Sequence, residues 1–237
     1  MDTFEYAGID NLEVMAKATN YYNFLAGIIS HYVHSGDRVI DFGAGLGTFA
    51  QVGRKAEADV LCVEIDENLQ GRLRHYGFEV VRELPIAEVG KFDALYAFDV
   101  AEHIERDVDA MRDWFKALKP GGVALVYVPA FPLLFSNMDK RIGHFRRYRK
   151  KALREKLESV GFEIKQIGYV DCLGFVGSLM YKWFSQSNGR IKWRTVDFYD
   201  GNIFPVSRKL DRILNRAIGK NLLAVAQKPL SCQIHTP

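Results

Sequence analysis

The chain has 237 residues, 48% of them hydrophobic and 26% charged, with a formal net charge of +3. That length suits one α/β core with modest additions, and so small a charge argues against a polyanion partner. Cys62, Cys172 and Cys232 are scattered and form no CxxC pair, so neither a disulfide framework nor a zinc site is indicated, and no metal is expected.

From the N-terminus, Met1-Asp2-Thr3-Phe4-Glu5 shows no basic-then-apolar leader, which with the cysteine usage points to a reducing cytoplasm. Tyr21 to Ile29 looks helical, within an N-terminal region taken as residues 1–36. Strands are expected at Arg38–Phe42, Val60–Ile65, Glu79–Arg82, Ala94–Phe98, Val123–Val128, Glu163–Tyr169 and Leu222–Gln227. Amphipathic helices are expected at Gly47–Lys55, Glu67–Tyr76, Asp107–Leu118 and Lys151–Gly161. Alternating β and α units of this length predict a mostly parallel sheet with helices on both faces, in one domain over 1–237. Residues 171–220 read as an insertion before the last strand, and 230–237 as a flexible tail. Within the insertion, Cys172 to Phe184 is apolar but shorter than the roughly 20 residues a membrane span needs. It suits a helix covering the sheet, or a patch meeting lipid at a membrane surface.

The most informative stretch is Val39-Ile40-Asp41-Phe42-Gly43-Ala44-Gly45-Leu46-Gly47-Thr48. An apolar strand ends in an acid, and three glycines then permit a sharp turn with backbone close to a ligand. Thr48 occupies the position where the dinucleotide fingerprint wants a third glycine or alanine, and no Lys-Ser/Thr ending marks a phosphate loop. This stretch resembles the first motif of class I S-adenosylmethionine-dependent methyltransferases. Phe92–Ile104, with Asp99-Val100-Ala101-Glu102-His103, resembles that family's fourth strand and following loop. Leu118-Lys119-Pro120-Gly121-Gly122 resembles the turn into its fifth strand. Asp139 followed by Gly143-His144-Phe145-Arg146-Arg147-Tyr148 is similar to a small-molecule subgroup.

The resemblance implies a Rossmann-like seven-stranded sheet in order 3-2-1-4-5-7-6, its last strand antiparallel, with S-adenosylmethionine as cofactor. Open α/β sheets bind ligands beyond the carboxyl ends of their strands. Asp41 and the turn through Gly43, Ala44, Gly45 and Gly47 would face the cofactor's amino-acid end, above Phe98, Asp99 and Val100. Glu64 is placed to accept both ribose hydroxyls, Ile65 to pack on adenine, and Asp66 to cap a helix. In similar enzymes an N-terminal helix lids the cofactor, so Tyr21 and Tyr22 either border the pocket or simply pack that helix on the sheet.

Methyl transfer rests on alignment and exclusion of water, with a base needed only where the acceptor carries a proton that must leave. His103 is one candidate for that base, or a structural residue of its loop. Asp139 and His144 are expected on the opposite wall, facing the acceptor. Arg146, Arg147 and Tyr148 belong to a basic run with Arg141, Arg149, Lys150 and Lys151. The run suits an anionic small molecule, a solvated helix face with internal pairs, or an RNA backbone. The expected activity is therefore methylation of oxygen or nitrogen on a small, anionic acceptor, without nucleic acid. A methyltransferase for RNA or protein, and a cofactor-binding subunit without turnover, are the alternatives.

Overall fold

The computed structural model describes residues 13–85, 87–184 and 193–230. Its seven strands are β1 (Arg38–Phe42), β2 (Asp59–Val63), β3 (Glu79–Val81), β4 (Phe92–Phe98), β5 (Leu118–Pro129), β6 (Glu163–Val170) and β7 (Asn221–Gln227). They form one sheet in the order β3-β2-β1-β4-β5-β7-β6, as the resemblance implied. Pairing is parallel from β3 through β5, and β7 runs antiparallel to both β5 and β6.

Successive side chains of a strand point to opposite faces, so a sheet covered on both sides needs apolar residues at nearly every position. Val39, Val60, Cys62, Tyr96, Leu125 and Val225 face one layer. That layer holds Leu25 and Ile29 of α1 (Thr19–Tyr32), Ala50 of α2 (Thr48–Lys55) and Leu73 of α3 (Glu67–His75). Ile40, Leu61, Leu95, Val126 and Ala224 face the other. There they meet Met111 and Trp114 of α4 (Asp107–Ala117), and Leu153 and Leu157 of α6 (Lys150–Ser159). A short α5 (Asn137–Arg141) lies between β5 and α6.

Of the seven strands only β1 keeps its expected limits, and β5 and β2 depart furthest from theirs. β5 starts at Leu118 rather than Val123, because Leu118 pairs with Phe92 before a register shift carries Ala94 onto Val123. Gly122 fits that bulge without a side chain, since a Cβ there would lie 2.9 Å from the Lys119 carbonyl oxygen. β2 ends at Val63 rather than Ile65. Beyond it Asp66 caps α3 as expected, accepting from the Asn68 and Leu69 amides.

The described part of 171–220 holds α7 (Cys172–Phe184), α8 (Trp193–Phe198), a π-helical turn (Tyr199–Ile203) and α9 (Phe204–Leu214). No helix among the described residues is long and apolar enough to cross a membrane. The side chains of Trp183 and Phe184, residues 1–12 and residues 231–237 lie outside the described set. Buried acids anchor this region. Asp211 accepts from the Asp171 and Cys172 amides at the start of α7. Asp200 reaches back to α1, accepting from the amides of Asn20 and Tyr21 at 2.8 and 2.9 Å. Ala18, the residue at the head of α1, offers no side-chain cap, so Asp200 supplies one from the far end of the chain. Replacing Asp200 with Ala is expected to cost about 1–2 kcal/mol, read as a lower urea midpoint, with Asp200→Asn losing clearly less.

Candidate active site

The carboxyl ends of β1, β2 and β4 gather three acids. After β1 the chain turns through Gly43, Gly45 and Gly47, all at positive φ. The Gly43 and Ala44 amides donate to the Val63 carbonyl, tying the turn to the end of β2. A Cβ on Gly43 would lie 2.4 Å from a Val100 methyl, so glycine is required sterically as well as conformationally. Gly47, at φ 79°, heads α2.

Glu64 is buried, and each of its oxygens accepts one backbone amide, Gly45 at 2.8 Å and Asp66 at 3.0 Å. Burial pushes its carboxyl above the ordinary range, against the opposing pull of the Asp66, Gly45 and Ile65 amides. A carboxylate has about four lone-pair sites, so two amides leave capacity for a diol. Beside it Ile65 is 44% exposed, an uncovered aliphatic surface at the strand end. Asp41 is buried with Oδ2 unpartnered among the described residues. Burial, then the Glu64 charge, push the Asp41 carboxyl well up, while the Ala50 amide opposes the rise. A glycine cradle, a diol-capable carboxylate, an open apolar face and an orphaned buried oxygen fit a nucleoside carrying an amino-acid end.

Asp99 follows β4 at φ 55°, its amide donating to the Tyr127 carbonyl. It is open to solvent at a cleft floor, yet the protein crowding it pushes its carboxyl up, while the Tyr21 hydroxyl, Lys220, His144 and Arg147 pull the other way. Tyr21 donates to Asp99 at 2.7 Å, so α1 reaches this floor. Its ring meets Tyr22, Tyr127 and Phe204 edge-on, and Tyr22 lies against Phe49. Tyr21 thus packs α1 on the sheet and Tyr22 packs it on α2, and Tyr21 also presents a hydroxyl to the cleft.

The next turn of chain, Ala101–His103, begins the second wall. The rings of His103 and His144 lie 4.5 Å apart and nearly perpendicular. The His144 Nδ1 is hydrogen-bonded to Asp139 Oδ1 at 2.8 Å, and its Nε2 is 3.7 Å from Glu102 Oε1. Burial, then the neighbouring His144, lower the His103 pKa to about 4, against the pull of the Gly143 and Ile142 backbone. Glu102 is fully buried, and among the described residues neither carboxyl oxygen accepts a hydrogen bond. Burial first, and Asp99 second, raise it well above the usual carboxylate range.

Asp139 sits behind this wall rather than on it. It is 1% exposed, closes a capping box with Ser136 at the head of α5, and takes Arg147 through two parallel hydrogen bonds. Burial opposes ionisation, but the bonds from His144 and Arg147 prevail and hold its carboxyl well below the ordinary range. With those partners it orients His144 and is not free to take a proton itself.

The arginine pair and Tyr148 depart from the expected acceptor contacts. Tyr148 is buried in the core, its hydroxyl donating to Asp107 and near the Ala101 carbonyl. Arg146 pairs with Asp107 and donates to the Glu105 carbonyl, and Arg147 is held by Asp139. These bonds lock the segment after α5 onto the turn after β4. Beyond them Lys151 pairs with Glu155 and Arg154 with Glu158, the internal pairs that one reading of the basic run expected. Arg149, Lys150, Lys151 and Arg154, with Arg216, line a cavity of about 670 Å³ over Phe131 and Tyr169. It lies beyond the ends of β5 and β6, at the same edge of the sheet as the acids. Arg216 entered no expectation, because nothing local marks a single arginine 60-odd residues from its neighbours.

Residues 14–167 match a family described as a methyltransferase domain, more than half of the chain. The chain belongs to that family. Its fold is that of a class I S-adenosylmethionine-dependent methyltransferase, and its cofactor is S-adenosylmethionine. A Mycolicibacterium smegmatis protein named "Probable S-adenosylmethionine-dependent methyltransferase" is 28% identical over 139 residues, covering 55% of this chain and 54% of that protein. The methyltransferase chain thus spans about half the length of the curated relative it matches. Phosphoethanolamine N-methyltransferase 2 of Haemonchus contortus, solved with S-adenosylmethionine, superposes with a TM-score of 0.59 at 19% identity, over 87% of this chain and 52% of that one. The cyclase SpnF superposes with a TM-score of 0.56 at 18% identity, over 87% of this chain and 81% of that one. At such identities the likeness is one of fold.

Gly43→Ala is expected to weaken binding of S-adenosylhomocysteine, measured by calorimetry, by about tenfold or more, since it adds both a φ penalty and a clash. Adding Val100→Ala removes the clash alone and should recover part of the loss.

Proposed function

We propose that this methyltransferase transfers the methyl group of S-adenosylmethionine to an oxygen or nitrogen of a small, anionic acceptor. What carries the reading is the cleft's division into two walls with different chemistry. One wall is the glycine turn with Asp41, Glu64 and Ile65. The other is the Glu102, His103 and His144 group with Asp139 behind it, across the floor of Phe98, Asp99 and Val100.

On the first wall, Glu64 accepts from the ribose hydroxyls, Ile65 covers adenine, and Asp41 with the Gly43 to Gly47 backbone orients the amino-acid end. The cofactor, once bound, supplies a methyl group on a cationic sulfur that is already activated for departure. The protein's task is then to align the acceptor in line with that bond and to keep water out. Tyr21, held on Asp99, closes the cleft from above. On the second wall, His144 is fixed in one orientation by Asp139, and the group it forms with Glu102 and His103 faces the acceptor and promotes loss of its proton.

The anionic part of the acceptor is supported by the basic cavity beyond β5 and β6, rather than by Arg146 and Arg147. Cations around a concave floor suit a phosphate or carboxylate, and an aromatic base suits an apolar portion. Buried, unpaired Cys62 and Cys172 accord with the reducing interior of a cell. Methylation of RNA is the weaker reading, because the net charge of the chain is only +3.

Separate losses test the division. Glu64→Ala is expected to weaken S-adenosylhomocysteine binding by about 1.5–3 kcal/mol. His144→Ala should leave that binding within twofold and lower product release in an acceptor screen by about a hundredfold. Equal loss of cofactor in both variants would contradict the two-wall assignment. Reversing charge at Arg216 and Lys151 together should raise the acceptor KM with cofactor affinity unchanged.

A further inference from the structure

We infer that Glu102, His103 and His144 form a binding site for one divalent cation of the zinc or manganese type. The inference deepens the proposed methyl transfer and rests on that reading only for what the cation would do there. The site itself stands on side-chain geometry.

One donor atom from each of the three residues lies within 4.8 Å of the other two. Two imidazoles and one carboxylate are the donor types that transition cations favour. Glu102 gives the second, independent indication. It is fully buried, and both its oxygens lack hydrogen-bond partners among the described residues. A buried carboxylate without a partner is costly, and its usual remedies are a proton or a cation. The His144 ring lies beside Glu102, its Nε2 3.7 Å from Oε1 and outside hydrogen-bond range, while the charge of Arg147 acts on the carboxyl without a hydrogen bond among the described residues.

The surroundings match what orients metal ligands elsewhere. A ligating histidine almost always gives its other ring nitrogen to a carboxylate or a carbonyl. His144 does so through Nδ1 to Asp139, leaving Nε2 turned toward Glu102. Asp139 is itself fixed by Ser136 and Arg147. His103 is engaged by the backbone of Ile142 and Gly143, which restrains its ring in the same manner. Bonds of about 2.0–2.2 Å would draw the three donors inward, a movement available to side-chain rotation. Asp99, a few residues before on the cleft floor, adds negative charge near the site and interacts electrostatically with both Glu102 and His144.

Three protein ligands leave coordination positions open, the arrangement of catalytic rather than structural sites. An acceptor hydroxyl bound there would be a stronger acid. Its proton passes to solvent water and its oxygen lone pair forms the new bond to the methyl carbon. The carbon–sulfur bond breaks with its electron pair retained by sulfur, leaving a neutral thioether.

The test uses the full chain, free of any affinity tag and stripped with EDTA, titrated separately with Mn²⁺ and Zn²⁺ in a calorimeter. One-to-one binding of either cation is expected, with at least a tenfold loss in Glu102→Gln and in His144→Ala. The same preparations are titrated with S-adenosylhomocysteine, which both variants should bind as the parent does, showing that they are folded. No stoichiometric uptake of either cation, or undiminished uptake in Glu102→Gln, overturns the cation site even where S-adenosylhomocysteine still binds. Cation uptake without S-adenosylhomocysteine binding overturns the cofactor wall instead and leaves this site standing.

Discussion

The structure turns on the carboxylate of Glu64. It lies where β1 and β2 both leave the sheet, and takes one amide from each departing loop, Gly45 and Asp66. A buried negative charge is tolerable only with such donors around it. The two amides therefore fix the glycine turn against the start of α3, and set the distance across which a ligand must reach. The Gly43 and Ala44 amides on the Val63 carbonyl complete the same junction. Everything that the first wall offers, from the Ile65 face to the orphaned oxygen of Asp41, is held in place by this small set of bonds.

The second wall follows a different logic. Its pieces come from the turn after β4 and from the segment between α5 and α6, and no regular element joins them. The Phe145 amide donates to the Glu102 carbonyl at 2.8 Å, and side chains do the rest of the joining. Arg147 clasps Asp139, Arg146 and Lys156 converge on Asp107, and the Tyr148 hydroxyl adds a third donor there. Such buried ionic groups contribute little net stability against an apolar alternative, but leaving one of them unpaired is costly. Here they serve to bring His144 beside His103.

Much of the fold was legible because strands buried on both faces read as apolar runs, and because acids and glycines punctuate their ends. The order of strands came from family resemblance, since periodicity carries no information about neighbours. Helix limits fell within a residue or two. β5 was misplaced at its start because Lys119, Pro120, Gly121 and Gly122 look like a turn, while in space they form a bulge between paired residues. For the site, Glu64 and the glycines stood out by local pattern. Asp139, Arg146, Arg147 and Tyr148 stood out equally, yet all four turn inward to hold the wall together. Spacing marks a residue as constrained without saying whether a ligand or the protein constrains it. The cavity residues and the burial of Glu102 depend on tertiary approach, which the order of residues does not encode locally. The cysteine pattern likewise speaks only to sulfur ligands, not to histidine and glutamate gathered from two loops.

Among the anchors of the described helices in 171–220 are Asp200 on the head of α1, and Asp211 with Ser207 on the head of α7. Each is a side chain answering backbone amides, so it constrains where a helix begins and says nothing about what its outer surface carries. Exposed positions of α8 and α9 such as Phe198 and Ile213 can therefore be rewritten without disturbing the sheet or the junction at Glu64, provided that Phe204, Ser207 and Asp211 stay. A lineage built on this plan can alter which molecules it admits while keeping its reactive centre intact.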